Sequence, residues 1–162
     1  MKSKMQGSPY FMFAIMLLFS YLIMYGVMYL NVADTDHIYM SLTRAYMAAL
    51  MVAPMALLKL IFMGKMYPNK KLNIGISIAS TAVFIGVLVM LRSQTFVSDE
   101  QYMKAMIPHH SSAIMTSNSA NLLRPEVLEL AQDIKETQVR EIELMKQYLE
   151  AKNKEKNQTQ PQ

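Results

Sequence analysis

Residues 9–30, PYFMFAIMLLFSYLIMYGVMYL, contain no charged side chain. A helix rising about 1.5 Å per residue needs roughly 20 apolar residues to cross a bilayer core, so this stretch predicts a membrane span. It is longer than the apolar region of a cleaved leader, and no A-x-A-like site follows it, so the span is expected to stay in the protein. Two further apolar runs follow. Residues 45–63 contain Lys59 near one end, where a long side chain can carry its ammonium to the interface, and Pro54 near the middle, where a kink is expected. Residues 74–91 are uncharged and are followed by Arg92. The expected membrane domain is therefore residues 1–95, with three spans.

Composition agrees with this reading. Of 162 residues, 52% are hydrophobic and 17% charged, where a soluble domain has about 25% charged. Charge is divided unevenly: residues 1–95 hold eight basic and two acidic side chains, and residues 96–162 hold eight and ten. The basic residues flank apolar runs instead of forming a stripe on a polar helix, so no nucleic-acid partner is expected. With no Cys in the chain, disulfides, thiolate metal sites and thiol nucleophiles are excluded.

Lys2 and Lys4 precede the first run, and Lys65, Lys70 and Lys71 lie between the second and third. The first loop instead carries Asp34, Asp36 and His37. Positive residues stay inside, so the N-terminus is expected in the cytoplasm and residues beyond about 95 on the opposite, extracytoplasmic side.

Past the third run the pattern becomes that of amphipathic helices. Ser98 and Gln101 form a capping-box pair, with Asp99 and Glu100 suited to a positive helix end. That helix should run to about residue 121. A second begins at Pro125 and carries the apolar series Val127, Leu130, Ala131, Ile134, Ile142, Met145 and Leu149. Residues 96–151 thus predict an antiparallel helical hairpin, and the polar residues 152–162 a disordered tail. The fold class is all-α.

At 100° per residue, Met103, Ile107, His110 and Ile114 share one stripe of the first tail helix, with Met106 and His109 at its flank. On the second helix Ile134, Gln138, Glu141 and Met145 fall in a narrow sector. A carboxylate on an apolar face is costly unless paired, protonated or bound to a cation. The candidate metal ligands are therefore His109, His110, Met106, Met103, Glu141 and Met145. Imidazole suits several transition metals, and thioether sulfur favours Cu(I). The same residues also fit a metal-free interface, with Met as core filler and the His pair hydrogen-bonded to Glu141.

The run Met106-Ile107-Pro108-His109-His110, then Ala113-Ile114, Leu130-Ala131, Ile134, Gln138, Glu141-Ile142, Met145 and Leu149, resembles the signature of the bacterial family named domain of unknown function 305. The likeness covers about residues 96–151. It implies a ferritin-like helical bundle, exported or membrane-anchored, with a part in periplasmic copper binding and tolerance. Many members carry Met two and six residues after the His pair, where this chain has Ser112 and Thr116. A two-helix segment buries little core, so half of a four-helix bundle is expected, completed by dimerisation or by packing on the spans.

Within the spans, Met47, Met51 and Met55 recur every four residues, a spacing similar to that in eukaryotic copper-uptake channels. Ordinary apolar packing is the favoured account of such a stripe, since Met in lipid needs no special explanation. The sequence therefore points to a bacterial inner-membrane protein whose periplasmic domain sequesters or hands over copper, as Cu(I), with the lipid bilayer and a second copy as partners. It is expected to be no enzyme, because the E-x-x-H motifs of ferritin-like di-iron oxidases are absent. The alternatives are a metal-free interaction module and a Met-lined copper transporter.

Overall fold

A computed structural model describes residues 9–159; Lys2 and Lys4 lie outside the described residues, as do residues 160–162 of the expected tail. The described chain is all-α, with helices α1 (Pro9–Val27), α2 (Leu42–Phe62), α3 (Lys70–Arg92), α4 (Asp99–Ser119) and α5 (Pro125–Thr159) and two 3₁₀ turns, Thr35–His37 and Gly64–Met66. The first three helices are each long and apolar enough to cross a membrane. α2 and α4 both continue through their internal prolines, Pro54 and Pro108.

The chain forms two compact units, and the boundary differs from a simple cut at residue 95. One unit holds α1 and Arg44–Thr95; the other holds Met28–Thr43 together with the residues from Phe96 onward. The loop between α1 and α2 therefore belongs with α4 and α5, and α1 stops at Val27 instead of continuing to about residue 30.

In the first unit, Phe13, Ala56, Leu60 and Tyr67 form a small core, with Tyr10, Leu17 and Ile76 packed against it. Phe13 meets Tyr67 edge-on, ring centres 5.4 Å apart. Tyr10 joins α1 to the start of α3: its hydroxyl accepts from the Asn69 N–H at 3.0 Å and lies 3.0 Å from Asn73 Oδ1, to which it donates. Asn69 caps α3 through its side chain, which accepts from the Leu72 N–H. At the far end Tyr46 donates its hydroxyl to the Thr95 carbonyl at 2.9 Å. Outward positions are large and apolar, among them Phe11, Leu18, Phe19, Ile23, Ile78 and Val89. That distribution suits lipid as the surrounding solvent.

α3 ends in a Schellman turn. Thr95 N–H reaches the Met90 carbonyl and Gln94 N–H the Leu91 carbonyl, with Gln94 at φ 51°. A left-handed residue satisfies the last carbonyls and ends the helix.

In the second unit α4 and α5 pack against each other around Ile107, Ile114, Ile142, Met145 and Leu149, with Tyr39, Met103 and Met106 at the edge. Their contacts run in reverse order: Glu100 meets Lys156, and His110 meets Glu141. Ser98 caps α4 as its sequence predicts, its Oγ accepting from the Gln101 N–H at 3.4 Å.

Two expectations are corrected here. α5 runs on to Thr159 in place of a disordered tail from residue 152. The physical reason is the carboxylate of Glu100, which binds Lys104 at 2.6 Å and Lys156 at 2.7 Å and so ties the end of α5 to the start of α4. Hydrogen bonds from those two ammonium groups hold the Glu100 carboxyl down at about 2. The apolar series of α5 is also only half covered. Ile142, Met145 and Leu149 are buried, whereas Val127, Leu130 and Ile134 are exposed.

Because Ile107 and Ile142 are almost wholly buried, Ile107→Ala and Ile142→Ala should each destabilise the α4–α5 unit by about 2–5 kcal/mol. Leu123→Ala, in the exposed connection between the two helices, should change it by less than about 0.5 kcal/mol. Urea-dependent proteolysis of the detergent-solubilised chain separates the two cases, and equal sensitivity of all three variants would contradict this core.

Candidate metal centre

His110 lies on α4 at the margin of the α4–α5 core, and both of its ring nitrogens are engaged. Nδ1 lies 3.0 Å from the carbonyl oxygen of Met106, one turn earlier. A carbonyl can only accept, so Nδ1 carries a hydrogen and donates it. Nε2 lies 2.7 Å from Oε2 of Glu141 on α5. In the neutral ring with Nδ1–H, Nε2 presents a lone pair, and an ionised carboxylate does the same. One proton must therefore sit between the two atoms, carried by the imidazole or by the carboxyl. Without it, two lone pairs would face each other across 2.7 Å.

This is the orientation that metal-binding histidines adopt: one nitrogen is fixed by a backbone carbonyl so that the other points its lone pair at the ligand position. The side chain of His110 is 15% exposed and that of Glu141 43%, so the pair opens toward solvent on the carboxylate side.

A second layer lies about 6 Å along the helices, the rise of four residues. Met106 precedes His110 by four positions and Met145 follows Glu141 by four. Because α4 and α5 run in opposite directions, both thioethers fall on the same side of the His110–Glu141 contact. Met145 is buried in the shared core, and Met106 and Met103 pack against it.

The remaining expected ligand, His109, stands apart. It is exposed, its ring centre 6.0 Å from that of His110 with the planes inclined at 67°. Among the described residues no three His, Asp or Glu side chains converge on one point. Of the expected ligands, the structure brings His110 and Glu141 into direct contact, places Met145 in the hydrophobic core with Met103 and Met106 packed against that core, and leaves His109 exposed.

The buried sector of α4 is also wider than helical arithmetic within a hairpin allows. Pro108 and Ser111 are fully buried, and Ser111 is covered by a third element, the loop Met28–Thr43. Ser111 Oγ accepts from the Ala33 N–H at 2.7 Å and lies 2.8 Å from His37 Nδ1. Asn31 Nδ2 donates to Ser112 Oγ at 2.7 Å. Asp36 pairs with Lys146 of α5, and Leu42 N–H donates to Gln101 Oε1 at 2.9 Å. Asp34 accepts from the Asp36 N–H and shapes the 3₁₀ turn that presents His37. Periodicity could not have shown this strap; the one sequence signal was a small hydroxyl, Ser111, four residues after Ile107.

Electrostatics follow the strap. Burial, then the nearby Lys146 ammonium, push the His37 imidazole below its ordinary value, against the opposing pull of Asp34, Asp36 and Glu143. The hydrogen bond from Lys146 holds the Asp36 carboxyl below the usual carboxylate range.

Comparison with known proteins gives two matches. The family model described as domain of unknown function (DUF305) matches residues 93–162. The uncharacterized protein L153 of Acanthamoeba polyphaga mimivirus is 36% identical over 107 residues, which cover 65% of this chain and 68% of that protein. No solved structure matches.

His37 sets the pH response of the strap. Its folded value is lowered, so below about 6.5 the unfolded or undocked loop takes up the proton first. The stabilisation is complete above that pH and is lost as pH falls through the folded value. Asp36, also lowered, stays ionised over this range. Amide-exchange protection of residues 31–37, corrected for the intrinsic pH dependence of exchange, should fall between pH 7.5 and 5. His37→Asn should remove that slope, and an unchanged slope would assign it to another group.

Proposed function

We propose that this chain, which belongs to the domain of unknown function (DUF305) family, is a membrane-anchored copper-binding protein that sequesters or hands over Cu(I) outside the cytoplasm. The observation that carries the reading is the His110–Glu141 contact, an imidazole nitrogen and a carboxylate oxygen 2.7 Å apart that need a proton or another cation between them. A cation in place of that proton would take an imidazole nitrogen and a carboxylate oxygen as ligands, with the Met106 and Met145 thioethers one turn away. Cu(I) is the ion that suits imidazole and thioether together, and a chain without Cys keeps such donors in an oxidising compartment. The ion is cargo in this reading, and the protein performs no catalysis.

Topology supports the compartment. The loop after α1 and the helices after α3 belong to one unit, as an odd number of crossings between them and the N-terminus requires. With Lys65, Lys70 and Lys71 on the cytoplasmic side, α4 and α5 form an extracytoplasmic hairpin. In the inner membrane of a bacterium that side is the periplasm. The exposed Val127, Leu130 and Ile134 of α5 are the positions through which a second copy would complete a four-helix, ferritin-like arrangement.

A second reading rests on a separate observation: both His110 nitrogens already have protein partners. In that case the pair is an interhelical hydrogen bond and the domain is a metal-free interaction module. No observation favours the transporter reading, since Met47 and Met51 are 44% and 40% exposed on the outside of their unit.

Native mass spectrometry of the full chain in detergent, titrated with Cu(I), Cu(II) and Zn(II), tests the proposal. Stoichiometric Cu(I) is expected. His110→Ala and Glu141→Ala should each weaken binding by at least about 100-fold, and Met145→Leu by about 10- to 100-fold, while His109→Ala should have a smaller effect. Absence of copper uptake under micromolar competition would favour the interaction module.

A further inference from the structure

The loop Met28–Thr43 grips the hairpin at two positions that are next in sequence to candidate ligands. On α4 it holds Ser111, which follows His110; on α5 it holds Lys146, which follows Met145. A contact at the neighbouring residue, about 100° round the helix, fixes the rotation of that helix about its own axis. Ser111 is the firmer of the two anchors. Its hydroxyl is fully buried and takes the Ala33 N–H while meeting the His37 ring, so no rotation of α4 keeps both partners. A buried N–H left without its acceptor costs more than the bond itself gains.

We propose that this strap is a positioning clamp for the His110–Glu141 site: Ser111 and the Asp36–Lys146 pair set the mutual rotation of α4 and α5, and so set the copper affinity of a site they do not touch. The inference rests on the copper reading above. Its regulatory content comes from connectivity. The strap is the chain between α1 and α2, so any change in the membrane helices that pulls on residues 28–43 alters the donor geometry, and occupancy of the site tightens the strap in return. Coupling between two sites is reciprocal in free energy, so the two effects must be equal in size.

The test uses the full chain in detergent micelles with two readouts: Cu(I) affinity by competition with a chromophoric chelator, and amide exchange at Ala33, whose N–H is bonded to Ser111 Oγ. Ser111→Ala should deprotect Ala33 and weaken Cu(I) binding by about tenfold, within the usual range of coupling between sites. Asp36→Lys should act in the same direction. The swapped pair Asp36→Lys with Lys146→Asp should restore both readouts, a rescue that loss of folding would not allow. In the wild-type chain Cu(I) should raise Ala33 protection by the same factor, and in His110→Ala it should leave protection unchanged. Wild-type Cu(I) affinity in a Ser111→Ala chain whose Ala33 amide is unprotected would overturn the clamp and leave the copper reading standing. A wild-type chain that protects Ala33 but takes up no copper would overturn the copper reading, and the clamp's effect on affinity with it.

Discussion

A two-helix hairpin gives each helix a single neighbour, and that constraint governs the second unit of this protein. Two amphipathic helices can bury only one stripe apiece, here Ile107 and Ile114 against Ile142, Met145 and Leu149, which is little apolar area for an independent domain. The deficit is made up locally. Residues 28–43 bond to Ser111 and Ser112 of α4 and turn a helix pair into a three-element unit. Glu100 performs the same task at the other end, drawing Lys156 and with it the last turns of α5 onto α4. The His110–Glu141 contact lies within the unit so assembled.

The sequence made the helices legible because their signals are local. Three uncharged or nearly uncharged runs set α1, α2 and α3, Ser98 with Gln101 marked the start of α4, and Pro125 marked the start of α5. His110, Glu141 and Met145 were likewise readable, since helical periodicity and a short connection suffice to bring them together. Contacts at long sequence separation were not readable. Ser111 looked like an ordinary flank residue until a loop more than 70 positions earlier in the chain supplied Ala33 and His37 as its partners. His109 was drawn into the site by its neighbour in sequence, although adjacent residues on a helix point about 100° apart. Residues 152–159 have a composition that suits disorder, and the long-range pair of Lys156 with Glu100 is a contact that composition does not show.

The membrane unit bears on function through its charge. Residues 9–27 and 44–95 contain Arg44, Lys59, Lys65, Lys70, Lys71 and Arg92 and no acidic residue. Lys59, well inside α2, rests against the Met16 sulfur and 5.9 Å from the Phe13 ring centre. A uniformly positive unit opposes the passage of a cation. The methionines of α2 at 47 and 51 face outward, where their flexible side chains fit lipid as well as any other apolar group.

On the copper reading, the depth of the donors accounts for selectivity. Glu141 is the outermost, His110 is intermediate, and Met145 lies in the core, with Met106 partly buried against that core. A hard divalent ion gains most from the carboxylate and water, so it stays at the exposed rim and exchanges readily. A soft monovalent ion gains from imidazole and thioether and costs less to desolvate than a divalent one, so it is drawn toward the buried side. The position that distinguishes them is Met145: its sulfur has no hydrogen-bonding role in the folded hairpin and is interchangeable with Leu as far as packing goes, yet it is the donor that a soft ion would require.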